Sequence, residues 1–144
     1  MPRVQITLPE HFSFTTRMEI RISEINYGGH LGNDAALTLA HEARMRFFRS
    51  LGLDELDVGG YGIIIADAAI QYKSEGFYGD LLDVQVGATD FGRKGCDLVY
   101  RMISSGDGRE VVVVKTGIVF FDYAWRKVAR IPEVFLSRLG IRET

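Results

Sequence analysis

The chain has 144 residues, one domain by the usual range of about 100 to 200, and its 47% hydrophobic and 25% charged residues exclude a disordered or fibrous class. A net charge of -2, with both signs interspersed, provides no bulk field for nucleic acid or an anionic membrane, so neither is an expected partner. Cys96 is the only cysteine, which excludes an intrachain disulfide and a multi-cysteine metal site and fits a reducing, cytoplasmic setting. No run approaches the roughly 20 apolar residues of a membrane span, and the start of the chain lacks the apolar core of a signal peptide.

Residues 14–25 are predicted as a strand, because Met18, Ile20 and Ile22 alternate with Arg17, Glu19, Arg21 and Ser23. A loop follows, Asn26-Tyr27-Gly28-Gly29-His30-Leu31-Gly32, whose three glycines permit backbone conformations and close approaches that side chains forbid. From about Asn33 the period becomes helical, with Ala36, Ala40, Ala43, Phe47 and Leu51 on one stripe, Asn33 or Asp34 as the cap and Gly52 as the stop. Four strands are predicted over residues 62–73, 81–90, 94–104 and 110–122 from their β-branched and aromatic content. Ser105-Gly106-Asp107-Gly108 reads as a hairpin tip, residues 124–130 as an extension of the last hairpin, and Pro132 as the start of a short helix reaching Leu139. One helix cannot cover both faces of a five-stranded antiparallel sheet, so the second face is expected to be exposed or docked on a partner, most simply a second copy.

The loop and helix, Asn26-Tyr27-Gly28-Gly29-His30-Leu31-Gly32-Asn33 followed by Glu42-Ala43-Arg44 and Leu51-Gly52-Leu53, carry a resemblance. So do Gln71-Tyr72 with Tyr78-Gly79-Asp80, and Arg130-Ile131-Pro132. Together they are similar to the 4-hydroxybenzoyl-CoA thioesterase-like superfamily, in which an Asp-x-x-Gly-His-x-x-Asn motif precedes a helix containing Glu-Ala-Arg. The resemblance implies an α+β hotdog fold over residues 1–144, a five-stranded antiparallel sheet wrapped around one long central helix. It implies hydrolysis of an acyl-CoA, or of an acyl group on acyl carrier protein, with no metal or organic cofactor. It also implies a homodimer or dimer of dimers, with active sites between subunits. Where many of these enzymes carry the catalytic aspartate, this chain has Asn26, an amide that cannot ionise but can orient water or donate to a thioester carbonyl.

Thioester hydrolysis needs a binder for the oxyanion, an oriented water and a proton acceptor. The helix N-terminus at Gly32 and Asn33 suits the first, since its free N–H groups attract negative charge; a plain helix cap would have the same residues. Asn26 is a candidate positioning group or a turn residue, and His30 a substrate contact or a structural histidine. At 100° per residue from Ala36, Asp34, His41 and Glu42 lie at roughly 160°, 140° and 240°, away from an apolar stripe near 30°. Asp34 and Glu42 are therefore the candidate catalytic acids, although Asp34 would also serve the helix dipole and Glu42 would also pair with Arg46. His41 is a candidate base or a surface residue. Arg44 flanks the stripe and is expected to be a partly buried arginine serving an interface rather than a solvated charge, while Arg93 and Lys94, in a turn between glycines, are candidate contacts for CoA phosphates or simply solvated charges. The substitution at Asn26 raises a second hypothesis, a non-catalytic protein that binds acyl-CoA.

Overall fold

The computed structural model describes residues 3 to 141. It contains strands β1 (Phe14–Glu19), β2 (Gly62–Tyr72), β3 (Leu81–Thr89), β4 (Gly95–Ser104), β5 (Glu110–Asp122) and β6 (Lys127–Val128), with helices α1 (Ala35–Ser50) and α2 (Glu133–Arg138). The strands form one antiparallel sheet in the order β1-β3-β4-β5-β2, and β6 adds two residues against Phe121 and Asp122 of β5. Among the described residues no helix is long and apolar enough to cross a membrane.

Period and burial agree along the sheet. Leu82, Val84 and Val86 of β3 and Cys96, Leu98, Tyr100 and Met102 of β4 alternate onto the inner face. There they meet Ala36, Leu39, Ala40, Ala43 and Phe47 of α1. The alanines let the helix lie close on the sheet, and the phenylalanines fill its far end, where Phe48 stacks on Phe135 of α2 at 5.6 Å. Gly95 is required where β4 begins, because a Cβ there would stand 2.0 Å from the Ile118 carbonyl oxygen. Cys96 lies buried in this core, and burial, with Asp97 and Asp90 nearby, pushes its thiol up to about 12, so it stays protonated and unreactive.

Four expectations are corrected. The first strand stops at Glu19 and the chain turns through one 3-10 turn, Ile22–Glu24, because the Glu24 carboxylate turns back to accept from the Arg21 N–H at 2.8 Å. Helix α1 starts at Ala35, and neither Asn33 nor Asp34 caps it with a side chain: Asp34 is already helical at φ -75, ψ -27, and its carboxylate makes no cap bond. The outer face of the sheet is neither bare nor left wholly to a partner, since the extended segment before β1 runs over it. A Cβ on Gly87 would meet Pro9, the His11 carbonyl and Phe12 at 2.9 to 3.2 Å. Arg44 is buried, as its place beside the stripe suggested, but its partners lie within the chain rather than across an interface. Its guanidinium bonds Glu55, from the loop after α1, and donates to the Tyr100 hydroxyl at 3.2 Å; that hydroxyl lies 2.7 Å from Thr116 Oγ1. Burial works against the Arg44 charge, yet Tyr100 and Glu55 together hold the group firmly protonated.

Candidate active site

The loop before α1 is a closed hydrogen-bonded unit. Asn26 N–H donates to the His30 carbonyl at 2.9 Å and Gly29 N–H to the Asn26 carbonyl at 3.0 Å, a tight reversal that puts Gly29 at φ 83, in the left-handed region where glycine is favoured. The Asn26 amide oxygen accepts from Gly28 N–H at 2.9 Å, with His30 N–H at 3.4 Å, so its NH2 group remains to donate elsewhere. His30 Nδ1 lies 3.4 Å from the Leu31 carbonyl, and the other edge of the ring sits over Gly28, next to the Asn26 oxygen.

Below the loop, Glu24 supplies a second layer. Burial pushes its carboxyl up, but the Arg21 backbone N–H, the Ser23 hydroxyl and the Arg21 guanidinium outweigh that and hold it below the usual carboxylate range. Its carbonyl accepts the Gly32 N–H at 2.9 Å. That bond removes Gly32 from the set of oxyanion donors. The N–H groups of Asn33 and Asp34 donate to nothing among the described residues, so the open positive end of α1 begins one residue later than the sequence suggests.

This helix end opens into a cleft of about 230 Å³ lined by His30, Leu31, Gly32 and Asn33 on one side and by Tyr72, Lys73, Ser74 and Glu75 on the other, floored by Val111 and Val112. Two bonds clamp the walls together. Leu31 N–H donates to the Gly76 carbonyl at 2.7 Å, and the Tyr72 hydroxyl donates to the Asn33 carbonyl at 2.8 Å, fixing the first turn of α1 against the end of β2. Arg109 braces the second wall by donating to Ser74 Oγ at 3.0 Å and to the Glu75 carbonyl.

The cleft thus gathers His30, Gly32 and Asn33, with Asn26 in the loop behind them. Asp34 stands beside it: its carboxylate folds toward Gly32, where a Cβ would be 3.0 Å from Asp34 Oδ1. Glu42 and His41 lie elsewhere, at least eight residues along α1 from Asn33 and hence roughly 12 Å away or more. Glu42 pairs with Arg46 at 2.9 Å, and His41 Nε2 lies 3.3 Å from Glu55. Arg93 and Lys94 sit at the opposite end of the sheet. The Lys94 carbonyl is bonded to Phe120 N–H, eight residues along β5 from Val112, or roughly 26 Å. Within one chain they are not part of the cleft lining. Sequence alone did not mark residues 72 to 75 as site residues, for Tyr72 stood out only through family spacing and Glu75 only as a turn. The one available signal was Gly76 immediately after them, a position where a Cβ would press on Ile20 at 2.7 Å and Leu31 at 3.4 Å. Among the described residues no three His, Cys, Asp or Glu side chains converge as a metal site would require.

Residues 20–139 match the model of a thioesterase-like superfamily. No protein of curated function matches the chain in sequence. Among solved structures, the 1,4-dihydroxy-2-naphthoyl-CoA thioesterase of Synechocystis superposes with a TM-score of 0.80 at 19% identity, over 88% of this chain and 95% of that one. A Staphylococcus aureus protein in complex with CoA gives 0.80 at 19% identity, over 94% and 86%. The DHNA-CoA thioesterase of Staphylococcus aureus gives 0.75 at 19% identity, over 90% and 95%. At these identities the likeness carries the fold, while the family model spans both walls of the cleft. By that match and this architecture, the chain belongs to the thioesterase-like superfamily and has its hotdog fold.

Proposed function

We propose that the protein is an acyl-CoA thioesterase, releasing a carboxylic acid and CoA at the N-terminus of α1. The observation that carries this reading is the uncommitted N–H of Asn33, at the open end of α1, in the lining of a cleft that Val111 and Val112 also line. Such a donor serves where a thioester carbonyl gains negative charge as water adds, and the helix dipole favours that charge. The Asn26 NH2 group, left free by the loop, is suited to orient the water or the carbonyl. Membership of the superfamily and the CoA-handling neighbours support the same substrate class, with carrier-protein thioesters as the variant. Asp34 beside the cleft favours the helix dipole, and Glu42 belongs to a surface ion pair, so neither is the stronger choice for proton acceptor.

A cleft of about 230 Å³ is smaller than the roughly 300 to 1,000 Å³ of sites that enclose a whole small ligand. The reading therefore includes a homodimer whose second subunit extends the site, with Arg93 and Lys94, away from the cleft lining, as contacts for the distant phosphates of CoA or as residues supplied by such a partner. A cytoplasmic location goes with the free, buried Cys96.

The test is free-thiol release from short, medium, long and aromatic acyl-CoAs, run beside Asn26→Ala. Hydrolysis of at least one member, with a kcat loss of about 10-fold or more in the variant, is expected. Tight binding without turnover would replace the hydrolase by the second reading, a non-catalytic acyl-CoA binder, which draws on the amide at position 26 and the commitment of its oxygen to the loop.

A further inference from the structure

Resting on the hydrolase reading, we propose that Glu75 is the proton acceptor of the reaction, an acid on the loop after β2 rather than on the helix or in the motif. It is the only carboxylate among the residues lining the cleft. The hydroxyl and amine groups there are engaged or of the wrong kind. The Tyr72 hydroxyl donates to the Asn33 carbonyl, the Ser74 hydroxyl donates to the Glu110 carbonyl, and Lys73 is a cation with nothing to accept with. His30 places Nδ1 3.4 Å from the Leu31 carbonyl and carries its Nε2 beside Gly28, so the ring lies against its own loop while the Glu75 side chain stands on the facing wall. The Glu75 side chain has no ion-pair or hydrogen-bond partner among the described residues, whereas its backbone is fixed. Arg109 holds its carbonyl, and the next residue, Gly76, accepts the Leu31 N–H at 2.7 Å, tying this wall to the loop that leads into α1. A free carboxylate on a braced backbone, lining the same small cleft as the unengaged Asn33 N–H, suits general-base hydrolysis.

In the step this implies, the Glu75 carboxylate takes a proton from water as the water oxygen bonds to the acyl carbon. The carbonyl π electrons move onto oxygen, which the Asn33 N–H holds. Collapse of that intermediate re-forms the carbonyl and breaks the C–S bond; the departing thiolate takes the proton from Glu75, leaving CoA as the thiol and the acyl group as the carboxylic acid. Water supplies both the hydroxyl and the proton, and no oxidant or metal is consumed.

The experiment measures kcat and KM on the best acyl-CoA of the panel for wild type, Glu75→Gln, Glu75→Ala and the remote acid control Glu133→Gln, with thermal melts to verify folding. Expected are a kcat loss of about 100-fold or more in both Glu75 variants with KM within about 3-fold, an unchanged control, and partial recovery of Glu75→Ala in formate, which a merely structural loss would not show. An active wild type whose Glu75→Gln variant keeps its kcat, or changes KM alone, overturns this assignment and leaves the hydrolase standing. A folded wild type that hydrolyses no member of the panel overturns the hydrolase reading itself, and the base with it.

Discussion

Glu24 lies two residues before Asn26, and among the described residues it is the buried carboxylate of this loop, its side chain only 4% exposed. It bonds the Arg21 backbone, the Ser23 hydroxyl and the Arg21 guanidinium, and its own carbonyl holds Gly32. The carboxylate therefore keeps the turn closed, and through it the start of α1. Its folded-state titration lies below the ordinary value of 4.5, so the stability it contributes is fully present above that pH and is lost as the pH falls through the depressed folded value. Glu24→Gln is accordingly expected to lower stability by about 1 to 3 kcal/mol at pH 7. The difference from wild type should shrink as the pH drops below about 4.5, and urea melts at pH 7 and pH 3.5 check it. A gap that stays constant between those two pH values would show that the amide fails for reasons of shape rather than charge.

At the scale of elements, α1 has two kinds of buried contact. Its alanines and phenylalanines pack on the sheet, and Arg44 threads a polar chain from Glu55 through Tyr100 to Thr116 across the core. Tyr100→Phe would leave Thr116 and one edge of the guanidinium without a partner, at an expected cost of about 1 to 3 kcal/mol in chemical denaturation. The cleft lies at the other end of α1, so KM for an acyl-CoA should stay within about 2-fold. The apolar half of this helix was legible in sequence, because a period of 3.6 is a local property and Ala36, Ala40, Ala43 and Phe47 obey it. The four long strands were legible for the same reason. Arg44 was legible as a partly buried residue beside the apolar stripe, but its partners were not, because Tyr100, Thr116 and Glu55 come from separate elements that only the fold brings together. The site divided along the same line. Asn26, His30, Gly32 and Asn33 fall within eight residues and are visible as a motif, whereas Glu75, on the facing wall, is brought near them by the Leu31–Gly76 and Tyr72–Asn33 bonds.

For the whole molecule, the decisive feature is β2. It is an edge strand of 11 residues, paired to β5 on one side and to nothing on the other among the described residues. Ile64 and Ile65, next to its bulge, are 38% and 40% exposed, with neither a lysine nor a proline in the strand to blunt the edge. Long apolar edges of this kind template pairing, so a second copy joined β2 to β2 is the economical cover. Such a copy would also adjoin the cleft, since Tyr72 ends the same strand and lines it, and the small volume enclosed by one chain would grow across the two-fold axis. The chain is therefore expected to run at twice its 16.2 kDa mass in light scattering at micromolar concentration. Ile64→Lys combined with Ile65→Lys places charges on both faces of the edge, and should shift it toward monomer with a thioesterase kcat reduced by about 10-fold or more. A fully active monomer would mean that one chain's cleft suffices; an undisturbed dimer would move the interface off β2 altogether.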